Sequence, residues 1–301
     1  MQSAGVLLGA IAASITLFAQ APKTPEVAPG ELVRLSVANE VAAANHTSMK
    51  HMFRSRKQTP KGSQTRLYVE TNDAMAAMLI AINDQSLTRE QQQAEANHLA
   101  WLTGNPEQLR KKQAREKEDA ERTLRIVKAL PDAFRYEYAG TENGENGLGR
   151  RGEKLVRLKF TPNRSYSPPS RVEQVLAGMH GYLLIDTEAG RLATIDGTLF
   201  RDVTFGWGIF GHLDRGGHFH VQQADAGDGT WEITAISLSI TGKILLFKSI
   251  SMVSDEVFSN FRRVPDNVTF AQGVELLKSE QEKLGHDARS NDPLETKTTP
   301  Q

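Results

Sequence analysis

The side chains most able to do chemistry are gathered in one short stretch: His212, Asp214, His218, His220 and Asp225. His218 and His220 are two residues apart. On a strand that spacing puts both imidazoles on one face, as in an H-x-H metal pair. His212 or Asp225 would complete the site, and the chemistry implied is that of a metal-dependent hydrolase. A plainer reading competes with it. Gly216-Gly217 makes a hairpin turn, the histidines stand at its solvated mouth, and the four candidate ligands do not converge. Other catalytic arrangements are missing from the sequence. There are no cysteines, which excludes a disulfide framework, Cys-ligated zinc, iron–sulfur clusters, a cysteine nucleophile and a lipid-modified N-terminal cysteine. No G-x-S-x-G, H-E-x-x-H, P-loop or G-x-G-x-x-G occurs. Ser165, Ser167 and Ser170 stand among prolines, where hydroxyls support turns. Asp186 and Asp196 read as turn and edge residues flanking a hairpin rather than as an acid/base pair. The expectation is a protein with neither catalytic residues nor a cofactor.

The apolar residues are more informative. Phe205, Trp207, Ile209 and Phe210 cluster in a segment broken by glycines. Such a segment fits a flap over the mouth of a curved sheet, where these four side chains would touch a ligand. The competing reading is ordinary core packing.

The elements that must position these residues follow from the pattern. From about Pro162 to Phe261, short runs of Val, Ile, Leu, Phe, Tyr and Thr alternate with Gly-rich turns, the pattern of consecutive antiparallel hairpins. Long strands with polar turns build a wide, curved sheet whose concave face holds either a core or a ligand. Trp231 and Ile233 alternate in one phase, and Ile236, Leu238 and Ile240 in the other. The slip across Ala235 predicts a β-bulge. Earlier strands are expected over 46–57, 65–71 and 76–82. Leu32 to Ala44 reads as a short helix or a strand. Thr88 with Gln91 is a capping-box pattern that opens a helical stretch to Leu130, broken at Gly104-Asn105-Pro106 and ended by Pro131. Its run 111–122 alternates in charge sign, as a solvated helix face does, and is not a nucleic-acid patch. A helix closes the chain after Val268.

Composition bounds the rest. Lys+Arg and Asp+Glu balance at 36 each, so no overall field draws the chain to nucleic acid or an anionic membrane. Val6 to Phe18 is apolar, too short to span a bilayer, and followed by Ala19-Gln20-Ala21, a small-x-small cleavage pattern. Residues 1–21 are therefore expected to be a signal peptide and 22–31 a Pro-rich linker. A single domain over 32–284 then carries the helical insertion at about 88–130, and 285–301 form a polar tail expected to be disordered.

The hairpins also resemble a known family. The carrying residues are Pro162, Tyr166-Ser-Pro-Pro-Ser170, Gly181-Tyr-Leu-Leu-Ile-Asp186 and Ile195-Asp-Gly-Thr-Leu199, continued by Phe205 to Gly211 and Gly242 to Lys248. Over about 130–260 the chain resembles exported bacterial proteins of the outer-membrane lipoprotein-sorting superfamily. That resemblance implies an α+β fold: a strongly curved antiparallel sheet, an incomplete β-barrel, closed by helices around a hydrophobic cavity for acyl chains. It implies a non-enzymatic periplasmic carrier, monomeric, whose partner is a lipid or the acyl part of a lipoprotein and which touches the envelope membrane transiently. The rival classes are the metal-dependent hydrolase and a structural envelope protein whose sheet is filled by its own side chains.

Overall fold

The computed structural model describes residues 27–46, 49–205, 211–244 and 248–290. The chain begins with helix α1 (Pro29–His46) and strands β1 (Lys50–Thr59), β2 (Gly62–Val69), β3 (Ala76–Ile82) and β4 (Gln85–Ser86). Helices α2 (Arg89–Gly104) and α3 (Pro106–Ala133) follow, then β5 (Phe134–Asn143) and β6 (Lys154–Pro162). A short helix α4 (Arg171–Gln174) and a 3-10 turn lead into β7 (Met179–Asp186), β8 (Arg191–Leu199), β9 (Val203–Phe205) and β10 (Gly211–Leu213). The chain ends with β11 (His218–Asp225), β12 (Trp231–Ile244), β13 (Lys248–Val264) and helix α5 (Phe270–Ser290). The strands form one antiparallel sheet in the order β4-β3-β2-β1-β13-β12-β11-β8-β7-β6-β5, with β9 and β10 attached at the end of β12. The sheet is curved and open, and with its helices gives the expected α+β class.

Cross-strand register shows how the sheet is used. Ile195, Val221, Ile236, Glu256, Lys57 and Gln64 lie opposite one another in successive strands and so share one face. On the β5–β8 half that face carries a core of Leu158, Phe160, Leu183, Ile185 and Leu192 under α1 and α3. On the β1–β3 half the core is Met52, Leu67, Val69 and Met78 under α2 and α5. Met52 faces Val69, and Leu67 faces Met78, one residue out of phase with Lys57 and Gln64. The two cores therefore occupy opposite faces of one sheet. The central strands β11, β12 and β13 are where burial passes from one face to the other.

Several local expectations hold. Thr88 caps α2: its hydroxyl accepts from the Gln91 amide at 3.2 Å, and the Gln91 side chain accepts from the Thr88 amide at 2.9 Å. The bulge falls where the phase slip placed it, since Ala235 opposes Gln222 while Ile233 already opposes Gln223. Lys111–Glu107, Lys112–Glu116 and Arg122–Glu118 are i,i+4 ion pairs on α3, which is the solvated face expected there.

Others are decided or corrected. The stretch from Leu32 is a helix throughout: Leu32, Val33, Ser36 and Val37 are buried while Leu35 is exposed, a 3.6-residue period rather than alternation. Glu40 pins that helix to the sheet by accepting two Arg191 bonds at 2.8 Å and the Leu192 amide at 2.9 Å. Pro131 does not stop α3, which runs on to Ala133. In the last turn a proline costs little, because the helix ends anyway and its free carbonyls find other donors. Tyr136 Oη donates to Leu130 O at 2.7 Å, and Asn163 donates to the Asp132 and Ala133 carbonyls at 2.9 and 2.8 Å. Helix α5 continues to Ser290, beyond the Leu284 expected as the end of the domain.

Candidate functional site

The helices rest on the two halves of the sheet. α1 lies on β8 and β5, α3 on β5, α5 on β2 and β3, and α2 on β3. The central strands are covered differently. On the face shared with Ile195, the residues Phe219 and Val221 of β11 stand opposite Leu238 and Ile236 of β12, and Ile240 stands opposite Met252 of β13. Phe219, Val221, Ile236, Leu238 and Ile240 are half-buried, and Met252 is 48% exposed. The reverse face is mainly polar: it carries His218, His220 and Asp196, then Ser237, Ser239 and Asp255, with the exposed Val253 and Val257 among them. An antiparallel sheet with one apolar and one polar face normally buries the apolar one. Here six apolar side chains in three adjacent strands form a stripe that remains partly open.

The stripe is bounded on both sides. Toward β8 it merges with the first core through Ile195 and Phe219. Toward β1 it meets Glu256, which accepts from Ser55 Oγ at 2.5 Å and Lys57 Nζ at 3.1 Å. Beyond that polar bar lies an aromatic group in which Phe53 stacks on Tyr68, with ring centroids 5.2 Å apart, and packs near Phe258 and Phe261 at 6.1 and 5.4 Å.

The residues singled out in the sequence fall as follows. Phe205 ends β9, is half-buried and packs against the first core. Trp207, Ile209 and Phe210 lie outside the described residues. The segment they belong to joins β9 to β10, and β10 pairs with β12 at Gly242–Ile244. His218 Nε2 and His220 Nδ1 both approach Asp196 Oδ2, at 3.2 and 2.9 Å. Asp196 sits in the middle of β8, not at a strand end as expected, because β8 extends five residues back to Arg191. His212 pairs with Asp214 at 3.1 Å. Asp225 turns into its own hairpin, accepting the Gly227 and Gly229 amides at 2.7 and 3.1 Å. The four candidate ligands therefore serve three different partners.

A second polar group escaped the sequence reading. His51 of β1 is 1% exposed and meets three acidic groups: Glu70, just past β2, Glu232 of β12, and Asp228 in the β11–β12 turn. Burial, and then the nearby Glu70 charge, push the Glu232 carboxyl up to about 7. Asp228 is held down to about 2, first by the Thr230 hydroxyl and then by His51. The four residues span positions 51 to 232 with no motif spacing. The one local signal was His51 itself, a polar residue at a buried phase of a strand.

No family model and no curated protein matches this chain. Solved structures similar to it include two of low sequence identity. One is a domain from Vibrio parahaemolyticus described as outer membrane lipoprotein-sorting, with 10% identity, 81% of this chain and 97% of that chain covered, and a TM-score of 0.31. The other is a DUF1329 family protein from Desulfovibrio piger, with 11% identity, coverage of 83% and 100%, and a TM-score of 0.28. At such scores any functional reading must rest on the geometry of the sheet.

Proposed function

We propose that this chain is a non-enzymatic binding protein whose ligand is the acyl chain of a lipid or lipoprotein. The observation that carries the reading is the half-open apolar stripe on β11–β13, formed by Phe219, Val221, Ile236, Leu238, Ile240 and Met252. An acyl chain laid along it would gain about 0.8 kcal/mol for each buried CH₂. Several methylenes supply useful affinity without any polar site residue, so a site of this kind needs no catalytic motif. The protein acts outside the cytoplasm in this reading, guided there by Val6–Phe18 and the Ala19-Gln20-Ala21 cleavage pattern. Among the described residues no helix is long and apolar enough to cross a membrane. Contact with the envelope is transient in this reading.

A hydrophobic fluorescent probe, N-phenyl-1-naphthylamine, tests the ligand class. The folded chain should bind it saturably, and palmitate or phosphatidylglycerol should displace it. Saturable probe binding that no lipid competes away would refute an acyl-chain site.

A further inference from the structure

The geometry points to a binding site for a divalent transition-metal ion, zinc by its donor set, made by His51 Nδ1, Glu70 and Glu232. Held there, the ion would clasp the β11–β12 hairpin to strands β1 and β2.

The case begins with an orphaned atom. His51 is 1% exposed, and its Nδ1 is buried with no hydrogen-bond partner. Its other nitrogen is accounted for, since Nε2 lies 3.0 Å from Asp228 Oδ2. The Asp228 carboxylate can only accept, so Nε2 is the donor at that contact and Nδ1 presents a lone pair. That lone pair is aimed at Glu232 Oε1 at 3.1 Å and Glu70 Oε2 at 3.8 Å. A lone pair facing two carboxylates is repulsive unless a cation or a proton lies between them. A proton on Nδ1 would relieve the charge but leave the atom without a hydrogen bond, because the approach to Glu232 lacks the geometry, whereas a metal ion would satisfy all three groups.

The spacing suits an ion. The three ligand atoms lie within 4.8 Å of one another, and among the described residues no other group of three acidic or histidine side chains meets that condition. Two ligands each about 2.1 Å from a tetrahedral zinc are about 3.4 Å apart, which the observed 3.1 and 3.8 Å bracket. The chemistry fits as well. One imidazole nitrogen and two carboxylate oxygens, with no sulfur, are ligand types that zinc accepts, and three of them leave a fourth position open. Asp228 fulfils the supporting role that such histidines require, fixing the tautomer by accepting from the far ring nitrogen. Glu70 is itself fixed, because its Oε2 accepts the His51 amide at 2.8 Å.

The placement gives the ion a mechanical role. Glu232 stands at the start of β12 and Asp228 in the turn before it, whereas His51 and Glu70 belong to β1 and the end of β2. β13 lies between these pairs of strands in the sheet. An ion at this point ties the hairpin across β13 to the half of the sheet that carries the second core.

The test is a titration of the full chain, stripped with chelator, with zinc chloride alone, read by calorimetry and by thermal melting. The expected result is one zinc per chain and a melting temperature that rises until the site is full. Glu232→Gln keeps the shape but removes a ligand. It should fold at least as stably without zinc as the parent and bind zinc more than about 100-fold less tightly, since even supporting groups are worth about 10–100-fold. Asp228→Asn should fall in that 10–100-fold range. The His218→Gln/His220→Gln double variant should bind as the parent does. The inference is overturned if the parent takes up no stoichiometric zinc, if Glu232→Gln binds unchanged, or if the double variant loses binding.

Discussion

Replacing Arg150 with alanine is expected to destabilise the fold by about 3 kcal/mol, because it strands a buried carboxylate. Asp186 is 1% exposed at the end of β7, and Arg150 grips it with two bonds, Nε to Oδ2 at 2.7 Å and Nη2 to Oδ1 at 2.8 Å. The same carboxylate accepts the Glu188 and Ala189 amides at 3.1 and 2.9 Å, which shapes the turn into β8. Burial alone would raise the Asp186 carboxyl, but the guanidinium and these amides hold it below the usual carboxylate range. The sign of the pH dependence follows. A depressed carboxyl stabilises the fold fully above its unfolded value of about 3.9, and that contribution fades as pH falls through the lower folded value. Urea melts at pH 7 should therefore separate Arg150→Ala from the parent widely, and melts near pH 3 should narrow the gap. An equal gap at both pH values would mean that the arginine acts by packing and not by pairing.

The second large effect is on ligand binding and turns on two neighbouring residues. Met252 is 48% exposed and Val253 is 38% exposed, so either accepts a polar substitution with little harm to the fold. They point to opposite faces of β13: Met252 stands opposite Ile240 on the apolar stripe, and Val253 opposite Ser239 on the polar side. Met252→Glu should weaken binding of N-phenyl-1-naphthylamine at least tenfold. A tenfold loss corresponds to about 1.4 kcal/mol, which is about two methylene contacts. Val253→Glu should leave the affinity within about twofold. Equal losses in the two variants would place the ligand elsewhere.

Local chemistry was the part of this molecule most open to reading from the residues. The capping box at Thr88, the alternating charges of α3 and the bulge at Ala235 each depend on neighbours a few positions apart, and each was recoverable. The Gly-punctuated hairpins likewise announced a large antiparallel sheet. What escaped notice depends on register between distant strands. The opposite placement of the two cores follows from pairings such as Val257 with Arg56 and Ala235, which no local pattern encodes. The His51 group is assembled in the same way from three stretches of chain. Leu32 to Val37 left helix and strand both open for another reason: apolar residues at 32, 33, 35 and 37 imitate alternation, and only the exposure of Leu35 in the fold shows the helical period. The histidines of β11 had the spacing of a metal pair, but spacing did not reveal Asp196 on the adjacent strand, which engages both.

The acyl-chain reading is tested most directly by native mass spectrometry of the folded chain, as purified and after incubation with palmitate and phosphatidylglycerol. The account predicts a population heavier than the bare chain by the mass of one lipid, reduced in Met252→Glu and retained in Val253→Glu. A bare chain that takes up neither lipid, while remaining folded, would contradict it and leave the β11–β13 stripe as part of a purely structural sheet.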